Sequence, residues 1–162
     1  MSDVSAFREG MSRLGAAVNL IATDGAEGRH GIIASAVCPV TDAPPMLLAC
    51  INTAAHAHDR LLSNGVLCVN VLGAEHQALS EVFARYRPGV DRFAHGDWTT
   101  MSTGAPVLAD ANAAFDCRIV SRKLQGTHSV LFCEVEAVRL PGTPGEGLVW
   151  FGRGYRRLAR PA

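Results

Sequence analysis

Lysine is almost missing from this chain: of fifteen basic residues only Lys123 is lysine and the other fourteen are arginine. Fifteen acidic residues offset them, for a formal net charge of zero. The chain therefore lacks the electropositive footprint of a nucleic-acid or polyanion binder. Arg153, Arg156, Arg157 and Arg160 crowd the C-terminus and read as a solvated tail. No apolar run approaches the ~20 residues that span a bilayer. The opening MSDVSAFREGMSRLG has no apolar stretch behind a basic head, so no secretory signal is expected. These absences point to a soluble, cytoplasmic protein with no membrane and no nucleic-acid partner. Cys38, Cys50, Cys68, Cys117 and Cys133 are odd in number and contain no CxxC pair. That argues against a disulfide framework and for small buried hydrophobes in a reducing compartment. No metal site is indicated: His56 and His58, two apart on an expected helix, face different ways and read as surface histidines. His30 and His95 fall in expected loops and carry no signal. GxGxxG, GxxxxGK[ST], GxSxG and HExxH are all absent, which excludes the Rossmann, P-loop, nucleophile-elbow and zincin devices.

What is present is a folding composition. The 162 residues are 48% apolar and 19% charged, with a mean hydropathy of +0.14. That is one domain's worth of chain, residues 1–162, and at this mass folding hides roughly 70% of the extended chain's surface. A full core needs no disulfide or metal staple.

The periodicities lay out the elements. Residues 3–14 predict a helix capped by Ser2 or Asp3, with Phe7, Met11 and Leu14 on one face. Extended segments are expected at 16–23, 30–41 and 46–52, with a turn at 24–29 and a break at Pro44 and Pro45. A short helix over 54–64 stops at Asn64 and Gly65. A buried strand at 66–72 and a second helix over 74–86 follow. Residues 87–108 read as a long loop, a length that usually carries function. Residues 113–123 and 129–140 alternate apolar and polar side chains and form a long antiparallel hairpin joined by Leu124 to His128. Residues 147–158 supply a last strand. About seven strands, three helices and no βαβ alternation predict a mainly β protein, an antiparallel barrel with peripheral helices.

Three features bear on function, each with two readings. His128 follows Gly126 and Thr127 at the hairpin bend and either points into a cleft or merely ends the turn. The small residues Ala34 to Cys38 either leave a strand backbone open to a flat ligand or pack an ordinary core. Asn52 and Asn70, if buried, need partners from a ligand or from a neighbouring turn.

The order of several segments goes further. FREGMSRLGAAVNLIATDG (7–25), GIIASAVCPVTDAPPMLLACIN (31–52), LCVNVL (67–72), LSEVFA (79–84), FDCRI (115–119), GTHSVLFCEVEAV (126–138) and GLVWFGRGYRRL (147–158) follow one another. In this the chain resembles the flavin reductase family, and within it the small reductase component of 4-hydroxyphenylacetate monooxygenase. The resemblance covers nearly the whole chain. It implies an antiparallel split β-barrel, homodimeric, that binds FMN or FAD. It implies a catalyst that uses NADH or NADPH to reduce the flavin, which then diffuses to a separate monooxygenase. Ser35, Ala36, Val37 and Cys38 match the strand lining the flavin ring; Asn52, Thr53, Ala54 and Ala55 match the turn for the ribityl chain and phosphate. Ser80, Phe83 and Ala84 match the helix near the phosphate. Gly126, Thr127 and His128 match the Gly-x-His motif beside the nicotinamide, His128 being the expected catalytic residue, and Tyr155 matches an aromatic close to the flavin. Ile33 replaces a common Thr, and Ala54 and Ala55 replace hydroxyl or Lys residues. That implies either weak flavin binding or phosphate contacts taken over by Arg85, Arg87 and Arg92. A carrier or sensor on the same barrel is the alternative to a reductase.

Overall fold

The structure is a computed structural model that describes residues 3–143 and 145–160. Helix α1 (Val4–Ser12) starts where expected: Asp3 caps it, its Oδ1 accepting the Ser5 amide at 2.8 Å. The other cap candidate, Ser2, lies outside the described residues. The face formed by Phe7, Met11 and Leu14 covers no core of this chain, since all three are half-exposed or more.

Among the described residues twelve strands form, against about seven expected. The first extended segment splits into β1 (Ala16–Ala17) and β2 (Asn19–Thr23), and the second into β3 (His30–Ala34) and β4 (Val37–Asp42). Next come β5 (Pro45–Asn52), α2 (His58–Asn64) and β6 (Val66–Val71), then a 3-10 turn at Ala74–His76 and α3 (Gln77–Ala84). Gly65 ends α2 at φ 69°, the left-handed position the sequence reserved for it. The expected long loop carries structure: a 3-10 turn at Arg92–Ala94 and the strands β7 (Trp98–Thr100) and β8 (Pro106–Leu108), which pair with each other. Strands β9 (Ala113–Gln125) and β10 (His128–Arg139) run up to a turn of only Gly126 and Thr127. Gly126 takes φ 57° there, as a tight hairpin turn of matching twist requires. The last expected strand is a hairpin, β11 (Gly147–Phe151) and β12 (Gly154–Leu158). The arginines read as a tail therefore lie largely on structure: Arg156 and Arg157 are in β12, and Arg153 in its turn pairs with Glu9 of α1 at 2.7 Å.

The main sheet has seven antiparallel strands in the order β3-β2-β6-β9-β10-β5-β4. Its two edges, β3 and β4, are separated in the chain only by Ser35 and Ala36. A flat sheet of this width would hold its edges about 29 Å apart, whereas three peptide steps reach about 11 Å. The sheet must therefore curl until its edges meet, and the Cys50 amide holds the corner by donating to the Ala36 carbonyl at 2.9 Å. No ladder joins β3 to β4 among the described residues, so the barrel is split at this seam. Alternate residues of β5 (Leu47, Ala49, Ile51) point inward with Ile21, Leu67, Val69 and Leu131 to fill it. A second core lies outside the barrel wall, where Leu20 and Ala22 pack on Phe83, Leu108 and Leu148. At Val18 the chain passes from the main sheet to a small one, β1-β11-β12, its amide bonding Leu148 and its carbonyl Leu72.

Three thiols are buried as expected, with Cys68, Cys117 and Cys133 all inaccessible, but Cys50 is half-buried and Cys38 is exposed. Burial pushes the Cys133 thiol up to about 12, and Cys68 and Cys117 shift in the same direction for the same reason. Asn70 finds its partners within the fold rather than in a ligand: its Nδ2 donates to the Leu20 and Pro106 carbonyls, and its Oδ1 accepts the Leu108 amide at 2.8 Å. No helix among the described residues is long and apolar enough to cross a membrane.

Candidate functional site

The antiparallel register of β5 and β10 pairs Asn52 with His128. It brings the turn after β5 against the turn before β10. Thr53 donates from both its amide and its hydroxyl to the Thr127 carbonyl, at 2.9 and 3.2 Å. The exposed Asn52 turns its Oδ1 onto the Ala54 amide at 2.9 Å, and the Ala55 amide bonds the Asn52 carbonyl. Thr127 Oγ1 lies 3.0 Å from His128 Nδ1. Asn52 to Ala55 and Gly126 to His128 thus form one polar cluster at the rim of the barrel. His58, at the start of α2, lies behind it; it is buried rather than at the surface, with Nε2 2.9 Å from Ser129 Oγ and Nδ1 2.7 Å from Asp59.

A second cluster forms at the seam. Ser35 and Ala36 occupy the exposed corner, and Val37 and Cys38 begin the edge strand beside Ala49 and Leu48. Ser35, Ile32 and Ile33 line an apolar groove of about 330 Å³ with Ala84, Trp150 and Tyr155. The rings of Trp150 and Tyr155 meet edge to face with centroids 5.1 Å apart. Buried Ser80 fixes the tyrosine, its Oγ lying 2.8 Å from the Tyr155 hydroxyl. Phe83 turns away from the groove into the core against Phe93 and Trp98. Ala84, Trp150 and Tyr155 also border a wider cleft of about 610 Å³ in which Arg85, Arg87 and Arg92 take part. The ring of His56 stacks on that of Tyr86, centroids 3.9 Å apart, and joins the Asn52–Ala55 turn to the end of α3.

The structure therefore brings Ser35, Ala84, Arg85 and Tyr155 to the groove and the cleft beside it, with Ser80 buried behind the tyrosine, and Asn52–Ala55 with Gly126–His128 to another rim. His128 itself is exposed and lines neither the groove nor the wider cleft. Sequence reasoning missed Trp150, which sits beside Phe151 in an apolar strand and gave no reason to be singled out. It also missed His30. That residue is not in a loop but opens β3, is buried, and lies between Arg60 and Arg92. No group of three or more His, Cys, Asp or Glu side chains positioned for a metal occurs among the described residues.

Comparison with known proteins agrees with this fold. A family profile described as "Flavin reductase like domain" matches residues 11–159. The chain is 54% identical over 155 residues to a protein of Variovorax paradoxus named FMN reductase (NADH) RutF, covering 96% of this chain and 86% of that one. Among solved structures it superposes on the NADH:FAD oxidoreductase SgcE6 of Streptomyces globisporus with a TM-score of 0.90 at 29% identity, covering 98% and 95% of the two chains. That enzyme is also known in complex with NAD and FAD fragments. BorF, the flavin reductase component of a bacterial two-component tryptophan halogenase, superposes with a TM-score of 0.89 at 26% identity, covering 98% of this chain and all of the other.

Proposed function

The chain belongs to the flavin reductase like domain family, and from that premise we propose that it passes a hydride from NADH to FMN or FAD and releases the reduced flavin to a separate flavin-dependent monooxygenase. The observation that carries this reading is the near full-length identity to a protein named FMN reductase (NADH). The two-component system to which BorF belongs supports the diffusible route.

The groove suits a flat, two-faced ring. Ile32 and Ile33 offer an apolar floor, Trp150 and Tyr155 an aromatic wall, and Ser35 with the exposed corner a polar end. Bound flavin would supply the hydride acceptor and NADH the hydride, so no nucleophile or carboxylate pair is needed. The protein's part is to hold and to exclude. Ser80 locks the Tyr155 ring against the groove. The amide and hydroxyl of Thr53 tie the Asn52–Ala55 turn to the Gly126–His128 turn, so the ribityl and nicotinamide holders move as one body. In this reading His128 positions the nicotinamide from the rim and is not required as a proton donor. The absence of hydroxyl or lysine side chains at Ala54 and Ala55 suits a flavin that must leave. A homodimer is supported by the uncovered apolar face of α1, and the cytoplasm by the supply of NADH there.

The test is the loss of NADH absorbance in air with FMN, FAD or riboflavin added in turn. Rapid flavin-dependent oxidation with peroxide formation is the expected result. Tight flavin binding without NADH or NADPH consumption would replace the reductase by a carrier or sensor.

A further inference from the structure

Between the start of β3, helix α2 and the segment after α3 lies a pocket of about 320 Å³ lined by Arg29, His30, Arg60, Tyr86, Arg87 and Arg92. Its basic side chains outnumber its carboxylates, Glu27 and Asp91. The Asp91 carboxylate is engaged, accepting the Phe93 amide at 3.0 Å, and Arg29 is paired with Asp24 at 3.3 Å. The other three guanidinium groups are not neutralised. Among the described residues neither Arg60, Arg87 nor Arg92 has a carboxylate at ion-pairing distance. Arg92 is only 6% exposed, a burial at which arginine is normally paired. Its partners are the Phe83 carbonyl at 3.1 Å, the faces of Phe83 and Tyr86, and His30.

His30 sharpens the point. Its Nδ1 lies 3.0 Å from Arg60 Nη1 and its Nε2 3.3 Å from Arg92 Nη2. A guanidinium only donates, and a neutral imidazole has one acceptor nitrogen. One of the two contacts must set N–H against N–H, and protonating the ring would make both unfavourable. Burial first, then Arg92, Arg60 and His56, push His30 down to about 4; the Tyr86 ring lies 5.6 Å away, and Glu27, Arg29, Arg87 and Asp91 line the same pocket. An oxyanion seated between the guanidinium groups would accept from both and from the imidazole N–H, which removes the mismatch.

The pocket adjoins the wide cleft, with Arg87, Val90 and Arg92 bordering both. We propose that the His30–Arg60–Arg92 pocket is a phosphate subsite for the nucleotide that fills the adjoining cleft. The subsite rests on reading that cleft as a nucleotide site. The shared chemistry is a phosphate group, carried by the flavin or by the nicotinamide dinucleotide.

Two measurements test it. In the wild-type protein, adding inorganic phosphate should move the ring resonances of His30 and raise its titration midpoint. Separately, equilibrium quenching of flavin fluorescence, without NADH, should show FMN bound about tenfold tighter than riboflavin, and Arg60→Gln should erase most of that ratio. If Arg60→Gln spares the ratio but raises the KM for NADH relative to that for reduced nicotinamide riboside, which carries no phosphate, the phosphate belongs to the dinucleotide and the subsite stands. If phosphate leaves His30 unmoved, and FMN, FAD and NADH are all insensitive to Arg60→Gln, the subsite is overturned while flavin reduction is untouched. If phosphate moves His30 in a protein that binds no flavin, the subsite stands and the proposed function falls.

Discussion

Asn70 and His128 are both polar residues that the sequence singles out, and the fold uses them in opposite ways. Asn70 is fully buried and ties three segments together through the Leu20 and Pro106 carbonyls and the Leu108 amide. Replacing it with leucine leaves those groups unpaired in the core, at about 1–3 kcal/mol for each. Asn70→Leu should therefore lower unfolding stability by about 3 kcal/mol or more, read as a reduced urea midpoint; a change under about 1 kcal/mol would contradict this role. His128 is exposed at a hairpin tip, where truncation leaves nothing buried and unpaired. Its loss should be felt in binding alone: His128→Ala should raise the KM for NADH about fivefold, the worth of one hydrogen bond, with a smaller effect on kcat. A loss confined to kcat would remove it from the nicotinamide site. That Asn70 needed partners was legible in the sequence. Which partners it took was not, because Leu20 reaches it only through strand pairing and Pro106 only through the packing of β8 on β6.

At the scale of elements, three parts of the chain meet at His30: the first residue of β3, Arg60 of α2 and Arg92 after α3. The imidazole is held down to about 4, against about 6.5 for an unfolded chain. The unfolded chain thus binds more protons between those two values, so this histidine's contribution is fully present above pH 6.5 and is lost as pH falls toward 4. Wild type should lose thermal stability faster than His30→Asn across that window, and equal slopes would refute the coupling. Nothing in the sequence indicated this junction, since positions 30, 60 and 92 share no local spacing and each looks ordinary in its own segment. Elements with strong local signals were legible: α1 with its Asp3 cap, the Gly65 stop of α2, and the alternation of β9 and β10. The β11–β12 hairpin was not, because Gly152 and Arg153 make a turn inside an otherwise unbroken strand pattern. Both adopt positive φ, and arginine gives no warning of that.

For the whole molecule, the decisive step is the two-residue corner at Ser35 and Ala36, which forces a wide sheet to close and leaves a seam where the proposed flavin groove forms. The sequence marked that stretch as unusual by its small residues, but only the strand order shows that it is the corner where the two sheet edges meet. The same geometry leaves α1 outside the barrel. It is held to the β11–β12 hairpin by Arg153 on Glu9 and by the Gly152 amide on the Ser12 carbonyl, at 2.7 Å each. Val4, Phe7 and Leu14 remain 60–63% exposed and Met11 50%. Four large apolar side chains on this helix and just after it form the kind of patch that marks an interface. The hairpin beneath it carries Trp150 and Tyr155 of the groove, so a second copy seated on α1 would brace the aromatic wall. Phe7→Glu should then convert a dimer to a monomer in sedimentation analysis and weaken flavin binding severalfold, since a charge must be desolvated to restore the contact. A wild-type chain that sediments as a monomer at working concentrations would refute the interface. A monomeric Phe7→Glu with unchanged flavin affinity would instead separate the groove from the dimer.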